Sequence, residues 1–422
     1  MTPEDNSELP AQEEKAPMLD KNNDVPSNDD DTVEFAELPS EEEVEVPEQG
    51  RFQEAVVYAT DWTTETIVSQ LRRGNIALNP SFQRRDAWRI QQKSRFIESL
   101  ILGLPIPQIV LAESKERRGT FIVLDGKQRL LSILQFWGIG EGKNSEFSLS
   151  GLEVRKDLMR KKLSHLEAEP GFEDDLNALL NQPIRTVVIK NWPNVDFLHL
   201  VFLRLNTGSV KLSPQELRQA LFPGPFSDWV DEAAVNSDAI KKLLNLSEPD
   251  YRMRDIEVLA RHLAFRFFLE HYRGRMKGFL DSSFETFNKD WPEWEPKLQA
   301  ALAEFELAVD SLVQVFGPSA GKKPGSKHFN RAVFDFLMFY AREEDIRAAM
   351  TSNSAKVEEA FNKAFDDAEF RSATERDTAG IPNTVKRLAM WGAELSEALE
   401  KQLPIPTSVD DGEEQRITFP GF

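Results

Sequence analysis

Residues 121–137 read FIVLDGKQRLLSILQFW, and this stretch decides the fold class. Its opening residues are β-branched, aromatic or aliphatic, as a short buried strand requires. Asp125-Gly126 interrupts the run, and a helix is predicted from there to about Trp137. At such a junction the exposed N–H groups of the helix N-terminus favour an anion, most often phosphate. Lys127 and Arg129 place one mobile and one forked positive charge at the same point. Asp125 can orient a divalent ion or a water beside that phosphate. A structural reading fits the same residues: Asp125 as N-cap, with Asp125-x-x-Gln128 as a capping box. The spacing is not that of a phosphate-binding loop, which needs more glycines and a Lys-Ser/Thr pair.

Upstream, residues 79–88 read NPSFQRRDAW. This is a predicted loop between a short strand at 76–78 and a helix at about 89–102. Ile90, Ile97, Ile101 and Leu104 recur at helical spacing, and Gly103 stops the helix. Arg84 and Gln83 in the loop can grip phosphates, and Trp88 or Phe82 can stack on a base. Alternatively, Phe82 and Trp88 are core residues and Arg84 is half of an internal ion pair. Further strands are expected at 56–58, 108–112 and 184–190, and a helix at 63–73. Downstream, Asn206-Thr207-Gly208 is a turn signal. Ser213-Pro214-x-Glu216 is a strong helix start, with Ser as N-cap, Pro in the first turn and Glu at the third position. Asn206 is the residue of that turn expected to face a site.

The net charge of -20 is unevenly placed. Residues 1–50 hold 17 Asp and Glu against 2 Lys, a like-charge segment too poor in apolar residues to order itself. Residues 70–130 hold 12 Lys and Arg against 5 Asp and Glu, so an acidic chain still offers a basic stretch to a polyanion. Residues 251–277 add Arg252, Arg254, Arg261, Arg266, Arg273, Arg275 and Lys277, either a polyanion-binding helix or a solvated face. With no cysteine, disulfides, thiolate nucleophiles and sulfur-ligated zinc are excluded. The five histidines form no metal-ligand spacing, and His328-Phe329-Asn330 lacks a second histidine nearby for a His/Asn nuclease. No apolar run reaches the ~18 residues of a membrane helix, and the acidic start does not read as an export signal. A cytoplasmic protein is expected.

The expected fold is α/β (α+β): a small mixed sheet with helices at 51–192, followed by a mainly helical domain at 193–403. A disordered acidic tail at 1–50 and a loose tail at 404–422, rich in Pro, Asp and Glu, flank them.

Taken in order, "NPSFQRRDAW", "SLILGLPIPQIVL", "FIVLDGKQRLLSILQFW" and "VFLRLNTGSVKLSPQELRQALF" resemble the N-terminal domain family of GmrSD-type restriction endonucleases. That family is ParB/sulfiredoxin-like, with a DGQQR motif. The resemblance is close over about 55–225 and weaker through the helical region, where 329–340 is similar to members without a nuclease half. It implies a ParB-like sheet and a nucleotide-binding, nucleotide-hydrolysing site. By position it assigns Asp125, Gly126, Gln128 and Arg129 to the motif, and Phe82, Gln83, Arg84 and Trp88 to the upstream element. Asn206, Glu216 and Leu217 fall in the downstream elements. Lys127 stands where the family has Gln, which adds charge and puts base or metal preference in doubt. The His/Asn nuclease half expected of two-part members has no counterpart in the sequence.

The leading expectation is a nucleoside triphosphate-dependent effector or sensor in prokaryotic anti-phage defence. Arg84 and Arg129 would hold phosphates, Lys127 would assist, and Asp125 would place Mg2+ or the attacking water. DNA and a separately encoded nuclease or effector are the expected partners. The alternative is a non-enzymatic DNA- or partner-binding module in which the motif is scaffold. A third reading, a nuclease in its own right, has few motif carboxylates to support it, Asp86 and Asp125.

Overall fold

The computed structural model describes residues 55–78, 87–139, 146–205, 213–410 and 415–419. Five strands form one mixed sheet: β1 (Val56–Thr63), β2 (Ile76–Ala77), β3 (Ile109–Glu113), β4 (Phe121–Asp125) and β5 (Pro183–Lys190). Their order is β1-β5-β3-β4-β2. β5 pairs antiparallel with β1 and parallel with β3; β4 pairs antiparallel with β3 and parallel with β2.

The central strands are apolar on both faces because both faces are covered. Side chains alternate across a strand. Ile109, Leu111, Phe121, Val123, Ile184 and Val188 enter one core with helices α1 (Thr64–Arg72), α2 (Ile90–Ile101) and α3 (Lys127–Phe136). Val110, Ala112, Leu124 and Ile189 face the other way. There they meet Phe197, Leu198 and Phe202 of the helix Val195–Leu205 and Leu217 of the helix Pro214–Leu221. The sheet therefore needs both helices that follow residue 192, so its packing runs past the expected boundary to Leu221.

α1, α2, α3 and the strands lie within two or three residues of their expected places, apart from β1, which runs on to Thr63. Ile97 and Ile101 are buried as the helical spacing requires, but Ile90 and Leu104 are exposed. These two lie at the ends of the pattern, where α2 emerges from the core.

Between α3 and β5 lie two short helices, α4 (Leu163–Ala168) and α5 (Glu173–Asn181). The chain from 148 to 158 is pinned by Glu98 of α2, whose carboxylate accepts backbone N–H bonds from Glu153 (3.2 Å), Val154 (2.9 Å) and Arg155 (2.6 Å). Burial opposes the charge, but those bonds hold the carboxyl below its ordinary range.

Numbering continues with α6 (Val195–Leu205), α7 (Pro214–Leu221), α8 (Pro225–Asn236), α9 (Asp238–Leu244), α10 (Arg254–Phe268), α11 (Met276–Lys289), α12 (Trp291–Phe316) and α13 (Arg331–Ala341). From α8 onward the chain is a helical body around a large core rich in phenylalanine, completed by helices up to Leu399. The segment expected to be loose forms a hairpin instead, β6 (Thr407–Asp410) with β7 (Gln415–Thr418). Ile417 is fully buried and Phe419 stacks on Phe339 with centroids 5.4 Å apart, so two apolar anchors override the polar composition. No described helix is long and apolar enough to cross a membrane.

Candidate functional site

The motif sits where β4 ends and α3 begins. Asp125 is the last strand residue and Gly126 is the N-cap of α3. Gly126 adopts φ 95°, a left-handed conformation that a side chain resists. A Cβ there would also stand 3.0 Å from Ile109 Cγ1 and 3.3 Å from the Arg129 guanidinium. The helix start carries no side-chain cap and no acid in its first turn. The capping box expected for Asp125 and Gln128 is absent because Asp125 remains in the strand.

Asp125 instead accepts a bond from Arg129, Oδ2 to Nη2 at 2.9 Å. Arg129 is buried, whereas the Asp125 side chain keeps about a quarter of its exposure. Gln128 Oε1 is buried with no hydrogen-bond partner among the described residues. Lys127 departs from its expected role as a mobile cation. Its side chain is 5% exposed and its Nζ lies 2.6 Å from Glu216 Oε1, which is equally buried. Glu216 belongs to the capping box of α7. Its Oε2 accepts the Ser213 N–H at 2.7 Å, and Ser213 Oγ accepts the Glu216 N–H at 3.1 Å. The helix start read from the sequence is thus realised, and its Glu also carries the counter-charge of the motif lysine.

Trp88 takes the core reading: it is half-buried and meets Phe96 edge-on at 5.9 Å. Phe82, Gln83, Arg84, Asp86 and Asn206 lie outside the described residues. The structure therefore brings together Asp125, Gly126, Lys127, Gln128 and Arg129, and adds Glu216.

Much of the basic stretch is used internally. Arg95 pairs with Glu153 at 3.0 Å, and buried Lys93 donates to Gln135 at 2.8 Å. Several cations of 251–277 are also paired: Arg254 with Asp250, Arg261 with Asp335, and Arg266 with Glu304 at 3.4 Å. Lys277 bridges Asp196 (2.8 Å) and Asp281 (3.1 Å), and Asp281 also holds buried Arg218 at 2.7 Å. This network, buried at Arg218 and partly exposed at Asp196, ties α6 and α7 to α11. His328 is exposed, and Asn330 is the N-cap of α13, accepting the Val333 N–H at 3.0 Å. Among the described residues no three His, Asp or Glu side chains gather as a metal site.

These features define a class: a mixed α/β domain with a strand-to-helix motif at the end of a central strand, docked on a helical body. Comparison with known proteins gives a likeness over part of the chain. Residues 64–223 match the model of the GmrSD restriction endonuclease, N-terminal domain. The match ends two residues beyond α7, where the second face of the sheet is complete. No curated protein and no solved structure matches the chain.

Proposed function

We propose that the chain is a nucleotide-responsive effector or sensor of a restriction-type anti-phage defence system, with the nucleotide's phosphates held at residues 125–129. The observation that carries this reading is the uncapped N-terminus of α3, entered through left-handed Gly126 and flanked by Arg129. Free helix N–H groups and the helix dipole attract an anion. Arg129 commits one Nη2 donor to Asp125 and has others for phosphate oxygens. Asp125 Oδ1 is then available for Mg2+, which commonly binds one or two carboxylates together with substrate phosphates. In hydrolysis Asp125 would orient the attacking water. The defence role, a DNA target and a separate nuclease partner rest on the family match and belong to the proposal.

A non-enzymatic DNA- or partner-binding module has an observation of its own. Arg129 and Lys127 both face carboxylates within the fold, as scaffold residues do.

One experiment separates the two. Binding and phosphate release are measured with Mg2+ and each of four nucleoside triphosphates, for the wild type and a folded Asp125→Ala/Arg129→Ala variant. Turnover that vanishes in the variant is expected. No binding and no turnover in the wild type would overturn the proposal. DNA binding with steep salt dependence and no turnover would then favour the module.

A further inference from the structure

The 12 cations of residues 70–130 divide in the fold. Lys93, Arg95, Lys127 and Arg129 have partners within the protein. Arg72, Arg73, Arg117 and Arg118 are exposed, and among the described residues no ion pair or hydrogen bond engages their side chains. These four come together at one end of the sheet. Arg72 and Arg73 close α1, and Arg117 and Arg118 lie in the turn between β3 and β4. The two segments are joined through β2 and β4: Phe121 donates its N–H to the Asn75 carbonyl at 2.6 Å, and Ile76 stands opposite Phe121. The turn is held by its own backbone. Ser114 N–H donates to the Thr120 carbonyl at 2.8 Å, and Thr120 Oγ1 donates to the Arg117 carbonyl at 2.6 Å. Gly119 N–H donates to Glu113 Oε1 at 3.1 Å.

Lys115 adds a fifth cation. Its Nζ donates to the Pro193 carbonyl at 2.7 Å and lies 4.2 Å above the Trp192 ring, contacts with neutral groups that leave its charge standing. Against these five stand Glu116 in the turn and Asp228 of α8, which line the same cleft as Lys115 and Arg117. Glu113 is paired with Lys190 at 3.4 Å. The dipole of α1 favours cations at Arg72 and Arg73, but it has no hold on Arg117 and Arg118. Solubility does not account for them either, since a chain of net charge -20 is kept in solution by its acids. Unpaired arginines of the minority sign, gathered from two rigid segments, fit a polyanion.

We propose that this end of the sheet is a contact surface for the phosphate backbone of duplex DNA. A guanidinium meets phosphate oxygens with two parallel donors. Residues 72–75 and 114–120 include no aromatic side chain on which a base could stack, so the backbone is gripped and not the bases. A duplex offers arginines one negative charge per about 1.7 Å of its axis. That the polyanion is DNA rests on the restriction-type reading above. The surface itself lies at the opposite end of β4 from residues 125–129 and needs no nucleotide turnover.

The test is fluorescence anisotropy of a labelled duplex of about 20 base pairs titrated with the full chain, without nucleotide, between about 50 and 200 mM salt. Affinity is expected to fall about a hundredfold over that range, as four phosphate contacts require. Arg72→Ala/Arg73→Ala and Arg117→Ala/Arg118→Ala are each expected to weaken binding about tenfold or more and to lessen the salt slope by about 2. All four side chains are exposed, so both variants are expected to keep the wild-type melting temperature. Asp125→Ala/Arg129→Ala is expected to bind the duplex as the wild type does. The proposal is overturned if the wild type does not bind, or if both arginine variants, folded, keep the wild-type affinity and slope. It is equally overturned if poly-L-glutamate displaces the duplex at equal charge, which would assign the surface to an acidic polypeptide such as residues 1–50 of this chain. Phosphate release is measured on the same proteins. Turnover without duplex binding overturns this surface alone, and duplex binding without turnover overturns the nucleotide reading alone.

Discussion

Lys127 and Glu216 are 89 residues apart in the chain and form a buried ion pair. Removing one partner takes the buried ion pair apart, which costs about 3–5 kcal/mol. Glu216→Ala is therefore expected to lower unfolding free energy by about that much in a urea titration. Lys127→Gln/Glu216→Gln is expected to recover most of the loss, and a double variant no more stable than Glu216→Ala would contradict the pairing. At Gly126, alanine would be forced into the left-handed region at about 1–2 kcal/mol, in addition to the close approach to Ile109. A Gly126→Ala protein with an unchanged urea midpoint would remove the steric account. His262 offers a pH test. Burial, then the neighbouring charges of Arg342 and Arg266, push its imidazole down to about 3. The unfolded chain binds a proton near pH 6.5 that the folded chain refuses, so this contribution to stability falls as pH drops from about 6.5 towards 3. One such proton gives a slope of about 1.4 kcal/mol per pH unit. His262→Phe, whose ring can keep the packing on Phe305 at 5.1 Å, is expected to flatten the slope. An identical slope in the variant would assign the acid sensitivity elsewhere.

Individual elements were legible where local rules decide them. The strand before Asp125, the stop at Gly103 and the Ser213–Glu216 capping box all follow from neighbouring residues, and all three are present. The cap alternative for Asp125 fails because the same residue can end a strand or start a helix, and its register opposite Val110 keeps it in the sheet. The Lys127 contact with Glu216 was not legible, since nothing local to either residue encodes it. The hairpin of β6 and β7 did leave a signal: Asp411-Gly412 is a turn dipeptide between segments containing Val409 and Ile417. The surrounding Pro, Asp and Glu outweighed it. Ile417→Ala is expected to cost about 2–5 kcal/mol, as for a buried aliphatic side chain. An unchanged melting temperature would mean that the hairpin is not held by that anchor.

Across the whole molecule, the division expected near residue 192 separates elements that the fold joins. α6 and α7 cover the sheet on one side, while Asp196 and Arg218 reach the α11 residues Lys277 and Asp281 on the other. The described residues also fall within one compact unit. A single cooperative unfolding transition is expected in calorimetry for the sheet and the helical body. Two transitions, with a fragment ending near residue 192 retaining its sheet, would show that the shared helices and ion pairs do not couple them.

The pairing of β1 has a consequence for the order in which the protein is made. Among the described residues its strand partner is β5, with Val56 opposite Lys190 and Thr63 opposite Pro183. At about 5–20 residues per second, synthesis from one strand to the other takes on the order of ten seconds. For that time the nascent β1, including Val56, Val57 and Tyr58, has no strand to pair with. Those three residues stay exposed in the finished fold. The same apolar stretch is thus open to another strand before and after folding, and a chaperone acting during translation could shield it.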